Sequence, residues 1–466
     1  MASPLSEPTR WPHLVPESRD SPVPPLTVED AMRRPRLHPI LRFNLSAFVL
    51  TACLLNCAHR PPERRPVPAP QDAARAEQEA AREREARRMA EQEERRMAER
   101  SDMSRRQEAA RSTPPPPPPP PPRPTPVEAN PNVVTDQGFA RVTVMYGTDR
   151  KMDPATAQFG GDRGSGISYG EVVVSVPHGH RTGELEAPSV WRLEFSEDPR
   201  KHMAVLDRAY MTRTAFMNRV KARLKAQGPD ASSFVFVHGY NVSFDDAARR
   251  TAQITYDLDY RGIPVFYSWP SQGTLQGYTT DETNVLWSEG NLKRFLADHA
   301  RASEGKDIYL IAHSMGNRAL TGALRQLFTE QPTLKGRFKE IILTAPDIDA
   351  DTFKRDIAPA LTAGCKRITL YVSSGDNALL ASKKVHGYPR AGDTASGIVI
   401  VPGIETIDAS GLDTSFLEHS YFATAPPVLS DIRRVLREGL RAARRGLESR
   451  LAGGGAYWKL KGDAKP

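Results

Sequence analysis

Residues Ile308 to Asn317 read Ile-Tyr-Leu-Ile-Ala-His-Ser-Met-Gly-Asn, an apolar run ending in a serine that has Ala312 and Gly316 two residues to either side. Leu320, Leu324 and Leu327 follow at the spacing of a buried helix face. This is the pattern of a nucleophile elbow, a tight strand-to-helix turn that lifts a serine hydroxyl above a sheet. Small neighbours let strand and helix approach, and Ala312 keeps the side chain short where glycine is usual. The chemistry is acyl transfer with Ser314 as nucleophile; an ordinary helix N-cap is the plainer reading of a lone serine there.

Acyl transfer needs two backbone N–H groups aimed at the developing oxyanion, one from the residue after the nucleophile and one from an earlier loop. Met315 supplies the first. The run Phe234 to Val237, followed by His238-Gly239-Tyr240-Asn241, supplies the second through Tyr240, with His238 bracing the loop. An acid and then a base should follow the serine in the chain. Asp376 stands just after the apolar run Ile368 to Ser373, and Asp347, Asp349 and Asp351 are its rivals, although that cluster also reads as a helix-start cap. His419, in Glu418-His419-Ser420-Tyr421-Phe422, is the expected base, and His386 is the second candidate. Trp269, in Ser268-Trp269-Pro270, reads equally as a pocket wall for substrate or as core.

Around these residues, β-branched runs alternate with helical ones from Val133 onward, the signature of a largely parallel or mixed α/β sheet. Strands are expected at Arg141–Tyr146, Glu171–Val176, Trp191–Phe195, Ser233–His238, Pro264–Ser268, Asp307–Ala312, Glu340–Thr344, Arg367–Ser373 and Glu405–Ile407. Helices are expected at Arg213–Ala226, Phe244–Asp257, Leu286–Ala302 and Met315–Phe328. A closing helix over Asp431–Leu451 would set Arg433, Arg434, Arg437, Arg441, Arg444 and Arg445 on a solvated face opposite Ile432, Val435, Leu436, Leu440 and Leu447. The catalytic domain is thus expected over residues 133–451, with a tail at 452–466.

The first third of the 466 residues is drawn from another alphabet, since no lysine precedes Lys151. Residues 1–31 form a polar leader, and Met32 gives the better start. Residues 32–57 carry arginines and then the apolar run Phe43 to Leu55, the order of a secretory signal and too short to span a membrane. The run ends near Cys53 and Cys57, two candidates for lipid attachment in a lipoprotein-type signal. Cys57 is preferred for the polar chain after it, and Ala58 beyond it points to the outer membrane. Residues 58–132 then form a tether. Gln71 to Arg111 interleaves Glu and Arg at i,i+4 spacing without a Leu/Ile/Val seam, which favours a solvated helix over a coiled coil. Pro114 to Pro122 is an unbroken proline rod.

With these residues in place, the span from Val142 to Leu440 resembles the bacterial α/β-hydrolase family catalogued as domain of unknown function 900. The resemblance rests on Tyr146-Gly147-Thr148-Asp149-Arg150, Ser168-Tyr169-Gly170, His238-Gly239-Tyr240-Asn241, Ser268-Trp269-Pro270, Ala312-His313-Ser314-Met315-Gly316 and His419-Ser420-Tyr421-Phe422. It implies an α/β-hydrolase fold and an esterase/lipase-like activity, with Ser314 as nucleophile, His419 as base and an aspartate from the region around Asp376. The expected function is a serine hydrolase of the cell envelope acting on a small-molecule acyl ester, with amide and thioester open. A non-catalytic envelope adaptor built on the same fold is the alternative. No metal or organic cofactor is expected, because the triad supplies its own base. The net charge of +8 comes from 64 basic against 56 acidic residues with no recognition motif, so no nucleic-acid partner is expected. The membrane is expected as partner through the lipid anchor.

Overall fold

The computed structural model describes residues 129–136, 138–188, 196–412 and 421–461. The leader, Cys53, Cys57, the Arg/Glu segment, the proline rod, the strand expected at Trp191–Phe195 and His419 lie outside them.

The described strands are β1 (Val133–Thr135), β2 (Phe139–Asp153), β3 (Gln158–Pro177), β4 (Val205–Met211), β5 (Ser232–Val237), β6 (Ile263–Ser268), β7 (Asp307–His313), β8 (Glu340–Thr344), β9 (Ile368–Val372), β10 (Glu405–Asp408), β11 (Glu448–Ala452) and β12 (Gly455–Lys459). They form one sheet in the order β11-β12-β10-β9-β8-β7-β5-β6-β2-β3-β4, with β1 added on β2. From β2 through β6, β5, β7, β8, β9 and β10 to β12 every pairing is parallel. β5 to β9 are buried on both faces, which is why their sequences read as near-continuous apolar runs. The chain steps outward from β5 to β6 and then returns to place β7 on the other side of β5. That reversal falls at the carboxyl ends of β5 and β7, the place where such sheets put their sites.

Eight helices are used below: α1 (Arg213–Ala226), α2 (Phe244–Asp257), α3 (Tyr278–Trp287), α4 (Glu289–Ala302), α5 (Gly316–Glu330), α6 (Ala358–Gly364), α7 (Asn377–His386) and α8 (Pro426–Arg433). Alternate side chains of each strand feed two cores. Val235, Val237, Leu310 and Ala312 pack with Phe216 of α1, Phe295 of α4, Leu320 of α5 and Leu361 of α6. Phe234, Phe236, Tyr309 and Ile311 pack with Phe244 of α2 and Leu429 and Ile432 of α8. The result is the three-layer α/β-hydrolase arrangement that the strand–helix alternation predicts. No helix among the described residues is long and apolar enough to cross a membrane.

Three expectations are corrected. The helix expected over Leu286–Ala302 begins only at Glu289, because α3 ends in a separate turn at Ser288. The closing helix stops early: α8 passes into a wider turn at Arg434–Glu438 and ends at Gly439, whose left-handed φ of 60° suits a residue without Cβ. Beyond it Arg445 is fully buried instead of solvated, drawn in by Asp431 at 3.2 Å and Glu405 at 3.5 Å. Where a tail is expected, β11 and β12 form a hairpin across Gly453 and Gly454, and β12 pairs with β10.

Candidate active site

Ser314 occupies the turn between β7 and α5 with φ of 51°, a left-handed conformation that a residue with Cβ adopts at a cost of about 1–3 kcal/mol. The surroundings over-determine it. Ser314 N–H donates to the Thr344 carbonyl at 3.0 Å, and the Ser314 carbonyl accepts from the Asn317 amide at 3.1 Å, the Asn317 side chain at 2.9 Å and the Asp347 amide at 3.3 Å. The small residue two positions on is required by space. A Cβ on Gly316 would lie 2.2 Å from the His238 carbonyl oxygen.

That contact brings in the second loop. A Cβ built on Gly239 would lie 2.9 Å from Ser314 Cβ and 3.0 Å from His313 Nδ1, so the loop after β5 packs directly on the nucleophile's side of the turn. Its polar groups are fastened one by one. Trp269 Nε1 donates to the His238 carbonyl at 2.8 Å, and the two rings stack at 5.1 Å. The Asp281 carboxylate accepts from the Asn241 amide, from Gln272 N–H at 2.8 Å and from Ser271 Oγ at 2.5 Å. Tyr240 is partly buried, with its ring edge-on to Tyr278 at 5.1 Å and its hydroxyl donating to the Thr274 carbonyl at 3.1 Å. Met315 is fully buried and heads α5, where the first backbone N–H groups of a helix have no intrahelical acceptor.

His238 braces the loop. Its ring is buried, and burial together with the neighbouring Arg150 charge pushes its pKa down to about 3, so the imidazole is neutral. Trp269 is fully buried beneath it. This corrects the reading of Trp269 as a substrate-binding wall: a ring with no exposed surface and its one donor on a backbone carbonyl is core and brace.

Asp376 lies at the carboxyl end of β9, on the same sheet edge as Ser314 with β8 between. Its carboxylate is 1% exposed, and Oδ1 accepts from the Leu379 amide at 3.0 Å, capping α7. Asp347 is differently placed. Oδ1 accepts from Arg390 Nε at 2.7 Å and Ser382 Oγ at 2.5 Å, while Oδ2 accepts from Arg318 at 2.9 Å and Tyr278 Oη at 2.9 Å. Burial alone would raise its pKa, but the two guanidiniums hold it below the usual carboxylate range. Both oxygens are engaged by structural partners, so nothing is left to orient a histidine. Asp349 caps a short turn through the Thr352 amide at 2.8 Å, and Asp351 is exposed. His386 is turned toward Glu282, with Nε2 at 2.6 Å from its carboxylate and Nδ1 at 2.7 Å from the Ser382 carbonyl. Among the described residues no cluster of His, Cys, Asp and Glu is placed to hold a metal.

In the sequence Arg150 and Ser268 stand only as members of the family-like motifs, with no role, and nothing signals Asp281 and Tyr278, which also support this edge; the charged pair Asp149-Arg150 closing an otherwise buried strand was the hint of a role for Arg150.

Residues 212–438 match the profile of a family described as alpha/beta hydrolase of unknown function, DUF900. That segment belongs to the DUF900 family. The DUF900 segment takes in Ser314, both oxyanion candidates, Asp376 and His419, whereas β1 to β4 precede it. No curated protein matches the sequence. Among solved structures, the chain is similar to a CIB-like hydrolase from Thermoplasma acidophilum at 13% identity and a TM-score of 0.27, over 50% of this chain and 91% of that one. It is also similar to lipase B of Aspergillus fumigatus at 11% identity and a TM-score of 0.29, over 45% and 53% of the two chains. A third is an alpha-beta serine hydrolase homologue from Coxiella burnetii, at 14% identity and a TM-score of 0.26, over 46% and 86%.

Proposed function

We propose that this DUF900 domain is a serine hydrolase that cleaves a carboxylic ester through an acyl-enzyme. The observation that carries the reading is the strained Ser314 turn with the Gly239 loop packed against it, because a left-handed, over-determined serine beside a glycine-opened loop is a costly arrangement for a merely structural turn. Ser314 Oγ attacks the acyl carbonyl while His419 takes its proton. The oxyanion gathers the Tyr240 and Met315 amides, and collapse expels the alcohol, which His419 protonates. Asp376 orients His419 and stabilises the imidazolium. Water, deprotonated by the same histidine, releases the acid.

The test is Ser314→Ala against a series of p-nitrophenyl esters of graded acyl length, with fluorophosphonate labelling followed by peptide mass spectrometry. Covalent label on Ser314 and loss of turnover in Ser314→Ala support the reading. Full turnover in Ser314→Ala sinks it, and a wild-type chain that neither labels nor turns over favours the adaptor.

We also propose that Cys57 carries lipid and anchors the domain to the cell envelope, on the outer membrane. The support is the arginine-then-apolar run ahead of the cysteine. Palmitate incorporation that persists in Cys57→Ala would move the site to Cys53, and none in either case would remove the anchor.

A further inference from the structure

Arg150 is buried, at 2% exposure, on the carboxyl end of β2, and among the described residues its guanidinium makes no carboxylate contact within hydrogen-bond distance. It serves neutral acceptors on three separate segments instead. Nε donates to Ser268 Oγ at 2.8 Å; Nη1 donates to the carbonyls of Gly160 at 3.0 Å and Ser271 at 2.8 Å; Nη2 donates to the Val242 carbonyl at 2.7 Å and lies 3.4 Å from His238 Nε2. A buried cation with several donors committed to backbone is a costly feature. The distances assign a direction to what it holds. His238 Nδ1 lies 2.8 Å from the Gly239 carbonyl oxygen, which can only accept, so the proton sits on Nδ1. Nε2 is then an acceptor, and Ser268 Oγ, 3.0 Å away, donates to it. Ser268 Oγ in turn accepts from Arg150 Nε. The chain of donors therefore runs one way, from Arg150 through Ser268 and His238 to the Gly239 carbonyl.

That carbonyl belongs to the same peptide unit as the Tyr240 N–H, and the two point in opposite directions because the peptide is planar and trans. Fixing one fixes the other. We infer that Arg150, Ser268 and His238 are positioning residues for the oxyanion hole: their polarised relay sets the Gly239–Tyr240 peptide plane and so aims the Tyr240 amide at the site facing Ser314. The inference rests on the hydrolase reading. Val242, gripped by the same guanidinium, anchors the far end of the loop, so the peptide is clamped from both sides. A neutral His238 is required, since an imidazolium would set a second donor against Ser268 Oγ and Arg150.

The experiment compares wild type, Ser268→Ala, Ser268→Thr and Arg150→Lys by steady-state hydrolysis of p-nitrophenyl acetate, each with its thermal midpoint, and reads the His238 tautomer by long-range ¹⁵N–¹H spectra. Expected is a fall in kcat of at least about tenfold in Ser268→Ala, with KM within about twofold, and recovery in Ser268→Thr, which keeps the hydroxyl. Arg150→Lys should fall further, as one ammonium cannot reach acceptors on three segments. The spectra should place the His238 proton on Nδ1 in wild type. Wild-type kcat in folded Ser268→Ala, or a proton on Nε2 in wild type, overturns the relay while leaving the hydrolase reading intact. Absence of Ser314-dependent turnover in wild type overturns the hydrolase reading, and this inference with it.

Discussion

Gly239 and Ser314 come so close that a methyl group on the first would sit 2.9 Å from Cβ of the second, inside the distance that real side chains tolerate. Gly239→Ala should therefore push the loop away from the nucleophile without removing any hydrogen-bonding side chain. Turnover of p-nitrophenyl acetate should fall by on the order of 10²–10³, the range for loss of an oxyanion donor, while the far-ultraviolet circular dichroism is unchanged. Retained turnover would place the oxyanion donor elsewhere.

Two aspartates near the same sheet edge should separate cleanly. Asp376→Asn should lower kcat by on the order of 10⁴, as for an orienting triad acid, with a small change in stability. Asp347→Asn leaves Arg318 and Arg390 without their shared carboxylate in a buried setting, and should cost about 3–5 kcal/mol in urea unfolding. An activity loss confined to Asp347→Asn would exchange their roles.

Arg445 presents a second buried cation, facing Asp431 and Glu405. Arg445→Met would leave both carboxylates without it, and should destabilise the domain by about 3–5 kcal/mol, read by urea midpoint. A change under about 0.5 kcal/mol would mean that the guanidinium lies in solvent, as on the expected closing helix.

His180 sets an alkaline limit. Burial opposes its charge, but hydrogen bonds and ion pairs with Asp257 and Glu186, each at 2.9 Å, outweigh that and raise its pKa to about 9. Because the folded value lies above the unfolded one of about 6.5, this contribution is fully present below about pH 6.5 and is lost as pH rises through about 9. The urea midpoint should fall over that interval, and His180→Gln should flatten the fall. An equal slope in the variant would assign it to another group.

The parallel core was legible in the sequence because strands buried on both faces are mostly apolar, and β5 to β9 read as near-continuous apolar runs. Ser314 was legible for a related reason: small residues two positions to either side point to close packing, and a Cβ added at Gly316 would meet the His238 carbonyl oxygen at 2.2 Å. What escaped were features fixed by distant partners. Arg445 looks like its exposed arginine neighbours until Asp431 and Glu405 are brought beside it. Trp269 could have lined a pocket or filled a core, and its full burial, with Nε1 on the His238 carbonyl, decides between them. β4, written Val-Leu-Asp-Arg-Ala-Tyr-Met, carries the polar residues of an edge strand and offers no apolar run.

The parallel pairing of β12 with β10 has a consequence for how the chain is made. Ile407 and Asp408 meet Trp458 and Lys459, residues that leave the ribosome some fifty positions later. Until that hairpin arrives, β10 displays unpaired backbone along one side, a template for association with any other open strand. A product broken off before residue 448 would hold Ser314 and Asp376 yet keep this adhesive border, so the final hairpin acts as a seal on the finished polypeptide.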